Sequence, residues 1–232
     1  MKKIINDWNL ENNYLQDFVK KKFYPSVTML RFLFSKNYSD NVIEHNHKKK
    51  VLDIGCLYLN NLLPFKDRNF LLYGTEINDK SIKILKKKAK LEKINVNLKL
   101  GFNSKLPFSN SFFDVLLSIN TIQYGTSMSG IHKTLKEMKR VLKKSKNKTS
   151  TIYIETPAPS HYFRKKCKKL NKNIYQSTDK NEFRNQNKFV FFNSKKEIKS
   201  IFSKYFHNVE VGIVKENYSK RTVSFFMIKG SN

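Results

Sequence analysis

The stretch "VLDIGCLYLN" (residues 51–60) is an apolar strand that ends in a turn, with Asp53 and Gly55 in it, and Glu76 closes the next apolar run, "FLLYGTEI". An acidic group about 20 residues after such a turn can accept two hydrogen bonds from a ribose diol. Packing offers little reason for a carboxylate there. Glycines serve such a turn where the backbone takes positive φ or where a Cβ would collide with a ligand. Leu57 and Leu59 stand where further glycines belong, so the expectation is that both freedoms are lost and the space beside the turn narrows. Further on, His161 in "TPAPSHYFRKK" is the best base by type and location, with a surface histidine as the plainer reading. Arg164 and Arg184 can clamp a phosphate or carboxylate bidentately, or stand as solvated charge. Tyr124 can wall a sugar-sized pocket or belong to the core.

These residues meet only if the strands that carry them lie side by side in one direction. From residue 51 apolar runs alternate with helical stretches: "KKVLDIG", "FLLYGTEI", "INVNLKLG", "FFDVLLSI" and "STIYIET" read as strands. Between the last two, Ile131, Leu135, Met138 and Leu142 form one apolar helical stripe. This alternation predicts a Rossmann-like, doubly wound α/β sheet, mostly parallel. "VEVGIV" and "TVSFFMIKG" add a C-terminal antiparallel hairpin. In such a sheet the ligand lies beyond the carboxyl ends of the strands, where their order reverses. That places the site at Asp53–Leu59, Glu76–Asn78, Gly101–Ser104, Asn120–Tyr124 and Thr156–His161.

The expected organisation is one domain in four parts. Residues 1–48 form a helical cap, in which Pro25-Ser26 starts a helix carrying Val27, Leu30 and Phe34 on one face. Residues 49–155 form the ligand-binding core, and 156–190, polar, basic and aromatic, an insertion or lid. Residues 191–232 add a helix, capped by a Ser194/Glu197 box, and the hairpin.

Composition narrows the classes. At 232 residues, 39% of them hydrophobic and 13% aromatic, the chain suits one globular domain with a decoration rather than a disordered one. No apolar run approaches the roughly 20 residues that span a bilayer, so a cytoplasmic protein without a membrane span is expected. Cys56 and Cys167 form neither a disulfide framework nor a metal-ligand spacing, and His45 and His47 lack a third ligand, so no metal is expected. The net charge of +28 fits either a compositional drift toward lysine or an anionic partner.

The order "VLDIGC", "YGTEIN", "LPFSNSFFDVLLSINTIQY", "LKEMKRVLKK" is similar to the successive motifs of class I S-adenosylmethionine-dependent methyltransferases, which residues 50–155 resemble, in particular the small-molecule kind. "YPSVTMLRFL" and "FRNQNKFVFF" resemble flanking segments of methyltransferases from bacterial surface-polysaccharide and capsule gene sets. The resemblance implies S-adenosylmethionine as cofactor and S-adenosylhomocysteine as product. It implies that Asp53 and Gly55 shape the pocket for the methionine part, that Glu76 holds the ribose hydroxyls, and that Ile77 lies beside the adenine. Asn103 and Ser104 would flank the adenine, and Asn120 would sit near the transferred methyl. The family often has an acid at about Phe102 that bonds the adenine amino group; here Asn103 or Ser104 would have to supply that bond. This cofactor has no pyrophosphate to press against the turn, and Asn60 or Asn61 can supply contacts for its amino-acid end.

The expected reaction is O-methylation of a small acceptor such as a sugar or sugar phosphate of a surface glycan, with His161 as base and Tyr124, Arg164 and Arg184 at the acceptor. One alternative is an RNA methyltransferase, suggested by the charge but without an N-P-P-Y-type tetrapeptide after the fourth strand or an RNA-binding module, so no stable nucleic-acid partner is expected. The other is a non-catalytic subunit with a degenerate site, suggested by Leu57 and Leu59. A homodimer or a partner subunit stays open.

Overall fold

The computed structural model describes residues 22–39, 42–43, 48–144, 150–179 and 185–232; expectations that rest on His45, His47 and Arg184, and on the first 21 residues, fall outside these. The strands are β1 (Lys50–Ile54), β2 (Leu71–Glu76), β3 (Val96–Leu100), β4 (Val115–Ile119), β5 (Thr151–Pro157), β6 (Cys167–Lys169), β7 (Ile174–Ser177), β8 (Lys188–Val190), β9 (His207–Asn217) and β10 (Thr222–Ser231). The helices are α1 (Val27–Phe34), α2 (Leu63–Lys66), α3 (Asp79–Leu91), α4 (Met128–Val141), α5 (Tyr162–Lys165) and α6 (Lys195–Phe202). Short 3₁₀ turns lie at Asn60–Leu62 and Ile122–Gly125.

A seven-stranded sheet runs in the order β3-β2-β1-β4-β5-β10-β9. Strands β1 to β5 are parallel, and β10 pairs antiparallel with both β5 and β9. The expected mixed α/β sheet with its closing hairpin is therefore the observed one. Strand order reverses between β1 and β4, so a crevice opens at their carboxyl ends. A second sheet, β6-β7-β8, is antiparallel and falls within the segment expected as an insertion.

The central strands are buried on both faces because helices cover both. On one face Met29, Phe32 and Leu33 of α1, Phe65 of α2 and Leu85 of α3 pack against Val51, Leu72, Val115 and Leu117. On the other, Ile131, Leu135 and Met138 of α4 and Ile198 and Phe202 of α6 pack against Leu52, Ile54, Leu116 and Ile152. Successive residues of β1 thus feed opposite cores, as the period of two requires. Helix α4 buries the expected stripe and begins at Ser127, whose hydroxyl caps Gly130 N–H.

Two local expectations need correction. Helix α1 starts at Pro25-Ser26 as read, but it buries Met29, Phe32 and Leu33 and leaves Val27 56% exposed. The hydroxyls of Ser26 and Thr28 bond the buried Glu155 and set the rotation of the helix. The capping box of α6 is half formed: Ser194 accepts from Glu197 N–H, while the Glu197 carboxylate takes Asn193 N–H and the Asn173 amide.

After β1 the chain turns through two left-handed residues, Gly55 (φ 70°) and Leu59 (φ 61°). Gly55 has no alternative, because a Cβ there would lie 2.4 Å from Thr121 Cγ2. Leu59 shows that one of the missing glycines did not take its conformation with it. Its side chain is fully buried in the core of the α1 face, which offsets the left-handed penalty of about 1–2 kcal/mol. Leu59→Ala is expected to lose about 2–4 kcal/mol of stability in urea unfolding. Leu59→Gly, which relieves the strain, should lose about 1 kcal/mol less than that. A Leu59→Gly protein more stable than the parent would mean that burial does not outweigh strain here.

Candidate functional site

A cleft of about 600 Å³ opens at the carboxyl ends of β1 to β4. Of the residues expected at the site, the structure brings Gly55, Glu76, Ile77, Asn103, Ser104, Asn120 and Tyr124 to its walls, together with Asn60, Asn61 and Leu57. Glu76 ends β2 and is 5% exposed as a residue, and its Oε1 accepts Leu57 N–H at 2.9 Å, which fixes its orientation at the turn. Leu57 therefore contributes its backbone amide even though its side chain stands in a glycine's place.

Asn103 donates its amide nitrogen to Thr121 O at 3.0 Å, so its amide oxygen is the group it can offer to a donor in the cleft. Asn120 takes φ 56°, a conformation asparagine tolerates well, and is held by bonds from its own N–H to Glu155 O and from Gln123 Nε2 to its carbonyl. Asp53 is not on the cleft wall. It is 1% exposed behind Gly55, and Oδ2 finds no partner among the described residues. Burial raises its pKa well above the usual carboxylate range, the Glu76 charge adds to this, and the Asn61 side chain opposes it by hydrogen bonding. Burial also raises the Cys56 thiol, helped by Glu76 and Asp53, and both cysteines are free.

Two residues expected at the acceptor end do other work. His161 is the N-cap of α5, and its Nδ1 accepts Phe163 N–H at 3.1 Å. A backbone N–H can only donate, so Nδ1 carries the lone pair and the neutral ring is protonated at Nε2. Burial against Tyr162 and Phe225 lowers its pKa from 6.5 to about 4. The nitrogen that would have to receive a proton already serves the cap, so the geometry argues against the expected base. Arg164 is buried, and its guanidinium bonds Phe192 O (2.7 Å), Tyr175 OH (2.6 Å) and Asn193 Oδ1 (2.5 Å). It ties the second sheet to the chain after β8 and is not a clamp for a ligand. Tyr124 does reach the cleft, and its other side packs edge-on against Phe189 of β8. Arg184 is outside the described residues.

The sequence reading missed a polar network beside the cleft. Oε1 of the buried Glu155 accepts three hydroxyls, those of Ser26 (2.5 Å), Thr28 (2.6 Å) and Tyr153 (2.6 Å). Ser26 N–H also donates to Asn61 Oδ1 at 3.1 Å, and Asn60 Nδ2 to Tyr24 O at 2.7 Å. The partners of Ser26 lie 129 and 35 residues away, and no local pattern signals either. Among the described residues, no group of His, Cys, Asp and Glu could hold a metal ion, and no helix is long and apolar enough to cross a membrane.

Residues 51–145 match the family model for a methyltransferase domain. The fold is shared with a SAM-dependent methyltransferase of Methanosarcina mazei, at 17% identity over 81% of this chain and 93% of that one, with a TM-score of 0.65. A SAM-dependent methyltransferase of Aquifex aeolicus is similar at 16% identity over 94% of this chain and 97% of that one, with a TM-score of 0.51. No curated protein matches the chain. The domain match and the shared fold support a SAM-dependent methyltransferase with S-adenosylmethionine as cofactor. The cleft walls suit such a polar group: they carry one carboxylate acceptor, Glu76, and the amides of Asn60, Asn61 and Asn103.

The His161 pKa gives a pH test. Between pH 6.5 and about 4 the unfolded chain binds a proton that the buried ring refuses, so stability falls as pH drops through that window. His161→Asn keeps a capping oxygen and removes the titration. Its melting temperature should decline less steeply than the parent's over that range; parallel acid limbs would mean that the ring is protonated in the fold.

Proposed function

We propose that the chain is a small-molecule O-methyltransferase acting on a hydroxyl of a sugar or sugar-phosphate group of a bacterial surface glycan. The observation that carries the reading is Glu76, set at the end of β2 in a cleft whose other polar walls are mostly amides and hydroxyls, among them Asn60, Asn61, Asn120, Thr121 and Tyr58. Neutral hydrogen-bonding groups beside tyrosine rings suit a hydroxylated acceptor. The surface-glycan part rests on the likeness of "YPSVTMLRFL" and "FRNQNKFVFF" to segments of such enzymes.

S-adenosylmethionine supplies a methyl group on a sulfonium sulfur, open to in-line displacement. This chain's residues bind and orient around it. Glu76 accepts the two ribose hydroxyls. Asn103 Oδ1 accepts from the adenine amino group, taking over the part an acid plays at Phe102 in relatives, and Ile77 packs on the ring. Asn120 and Tyr124 border the reacting end, where orientation supplies most of the rate. The sheet β6-β7-β8, within 156–190, packs behind Tyr124 as the acceptor-side lid. The hydroxyl proton does not go to His161 Nδ1, which holds the α5 cap.

Calorimetric titration with S-adenosylmethionine and S-adenosylhomocysteine tests the cofactor site. Both should bind, and Glu76→Ala should weaken both by roughly tenfold or more through the loss of two charge-assisted bonds. No heat with folded protein would mean that the leucine turn has closed the pocket. Labelled methyl transfer should then appear with nucleotide sugars or sugar phosphates, at a rate that His161→Asn leaves within about twofold once corrected for folded protein. Transfer to amines but to no sugar would overturn the acceptor.

A further inference from the structure

The concave surface continues beyond the cleft. Phe102, Ser104 and Lys133 line the cleft and also a second, open groove of about 700 Å³, whose remaining walls are Lys105, Lys136, Glu137 and Arg140. The groove runs between α4 and the loop after β3. Arg140 ties that loop down by donating to Leu106 O at 3.0 Å and Phe108 O at 2.8 Å, and Glu137 Oε1 accepts Leu106 N–H at 2.7 Å. Arg140 also donates to both oxygens of Glu137, at 2.7 and 2.8 Å. These two charges cancel and are occupied with each other. Lys105, Lys133 and Lys136 remain: all three are exposed, and none has an ion pair or side-chain hydrogen bond among the described residues. Lys133 and Lys136 stand about one turn apart on the same face of α4, where like charges repel and a bound anion would relieve the repulsion.

We propose that Lys105, Lys133 and Lys136 form a binding site for the phosphate or diphosphate of a phosphorylated acceptor, laid along α4 with its hydroxyl end in the cleft. The inference rests on the sugar-phosphate reading above and deepens it, selecting phosphorylated over free sugars and giving the anion a place. From Gly130 on the cleft wall to Lys136 in the groove, α4 rises about 9 Å, a length that a sugar with its diphosphate covers. Lysines hold phosphate as point charges, and concave walls concentrate their field. The groove thus offers the anion contact expected of Arg164, whose guanidinium is spent inside the fold. A nucleic-acid strand is the poorer occupant, because such surfaces combine basic grooves with several aromatic platforms, and the one aromatic ring on these walls is Phe102.

Calorimetric titration with inorganic pyrophosphate tests the groove. Wild type should bind it, more weakly as salt rises. Combining Lys105→Gln, Lys133→Gln and Lys136→Gln should cost roughly tenfold or more in affinity. Combining Lys83→Gln, Lys86→Gln and Lys87→Gln, exposed lysines of α3 on the other face of the sheet, removes the same charge and should stay within about twofold. Equal losses in the two variants would overturn the site, leaving only the field of the whole chain, and so would a wild type that binds no pyrophosphate. An oligouridylate bound more tightly than pyrophosphate, and lost with the groove lysines, would overturn it in favour of a nucleic-acid surface. Labelled methyl transfer separates this inference from the reading beneath it. With a phosphorylated sugar that accepts the label, the groove variant should raise KM roughly tenfold while kcat changes less. An unchanged KM would overturn the groove and leave O-methylation standing. Pyrophosphate lost with the groove lysines, but no sugar methylated, would support the anion site and bring down the acceptor reading.

Discussion

Between the end of β1 and the first helical turn the backbone must reverse within a few residues while staying buried on its inner side. Two left-handed residues accomplish this, and the rest of the carboxyl edge is arranged around them. Gly55 lets the chain pass against Thr121, so β1 and β4 can carry their loops in contact. Leu59 turns the chain a second time and drops its side chain into the core, which commits Asn60 and Asn61 to the cleft. Leu57 N–H then points at Glu76, and the carboxylate of β2 is oriented by the turn of β1. The conformation usually associated with glycine is here maintained by burial.

Charge is distributed against the grain of the composition. A chain with a net charge of +28 keeps Asp53, Glu76 and Glu155 buried at the carboxyl ends of three strands. Each is handled differently. Glu155 takes three hydroxyl donors on one oxygen, Glu76 is bonded to a backbone amide, and Asp53 is left with one oxygen unpartnered among the described residues. Of the three only Glu76 lines the cleft, whereas most of the described lysines are exposed.

The strand–helix rhythm was legible because it depends on neighbours in sequence: the stripe of α4, the buried runs of the parallel strands and the closing hairpin follow from periodicity alone. Glu76, Ile77, Asn103, Ser104 and Asn120 were legible for the same reason, since a doubly wound sheet puts the ends of its strands at one edge. What periodicity does not convey is what a side chain does with its hydrogen bonds. His161 and Arg164 have the types that chemistry needs, and the fold spends both on capping and on joining the second sheet. The Ser26–Glu155 and Ser26–Asn61 bonds span 129 and 35 residues and leave no local trace. Leu59 was misjudged because a residue's usual conformational preference yields when its side chain gains a core position.

The Glu155 anchor also bears on the order of assembly. Helix α1 leaves the ribosome long before β5, yet its first turn is held by a carboxylate 129 residues downstream. Loop closure over that length is slow compared with the forming of a helix turn. During synthesis the segment at Ser26 must therefore wait, its hydroxyls bonded to water, until the fifth strand joins the sheet. The first turn of α1 is therefore fixed among the last parts of the molecule, and a nascent chain that stops short of Glu155 can hold the crevice residues and still lack the anchor of that helix.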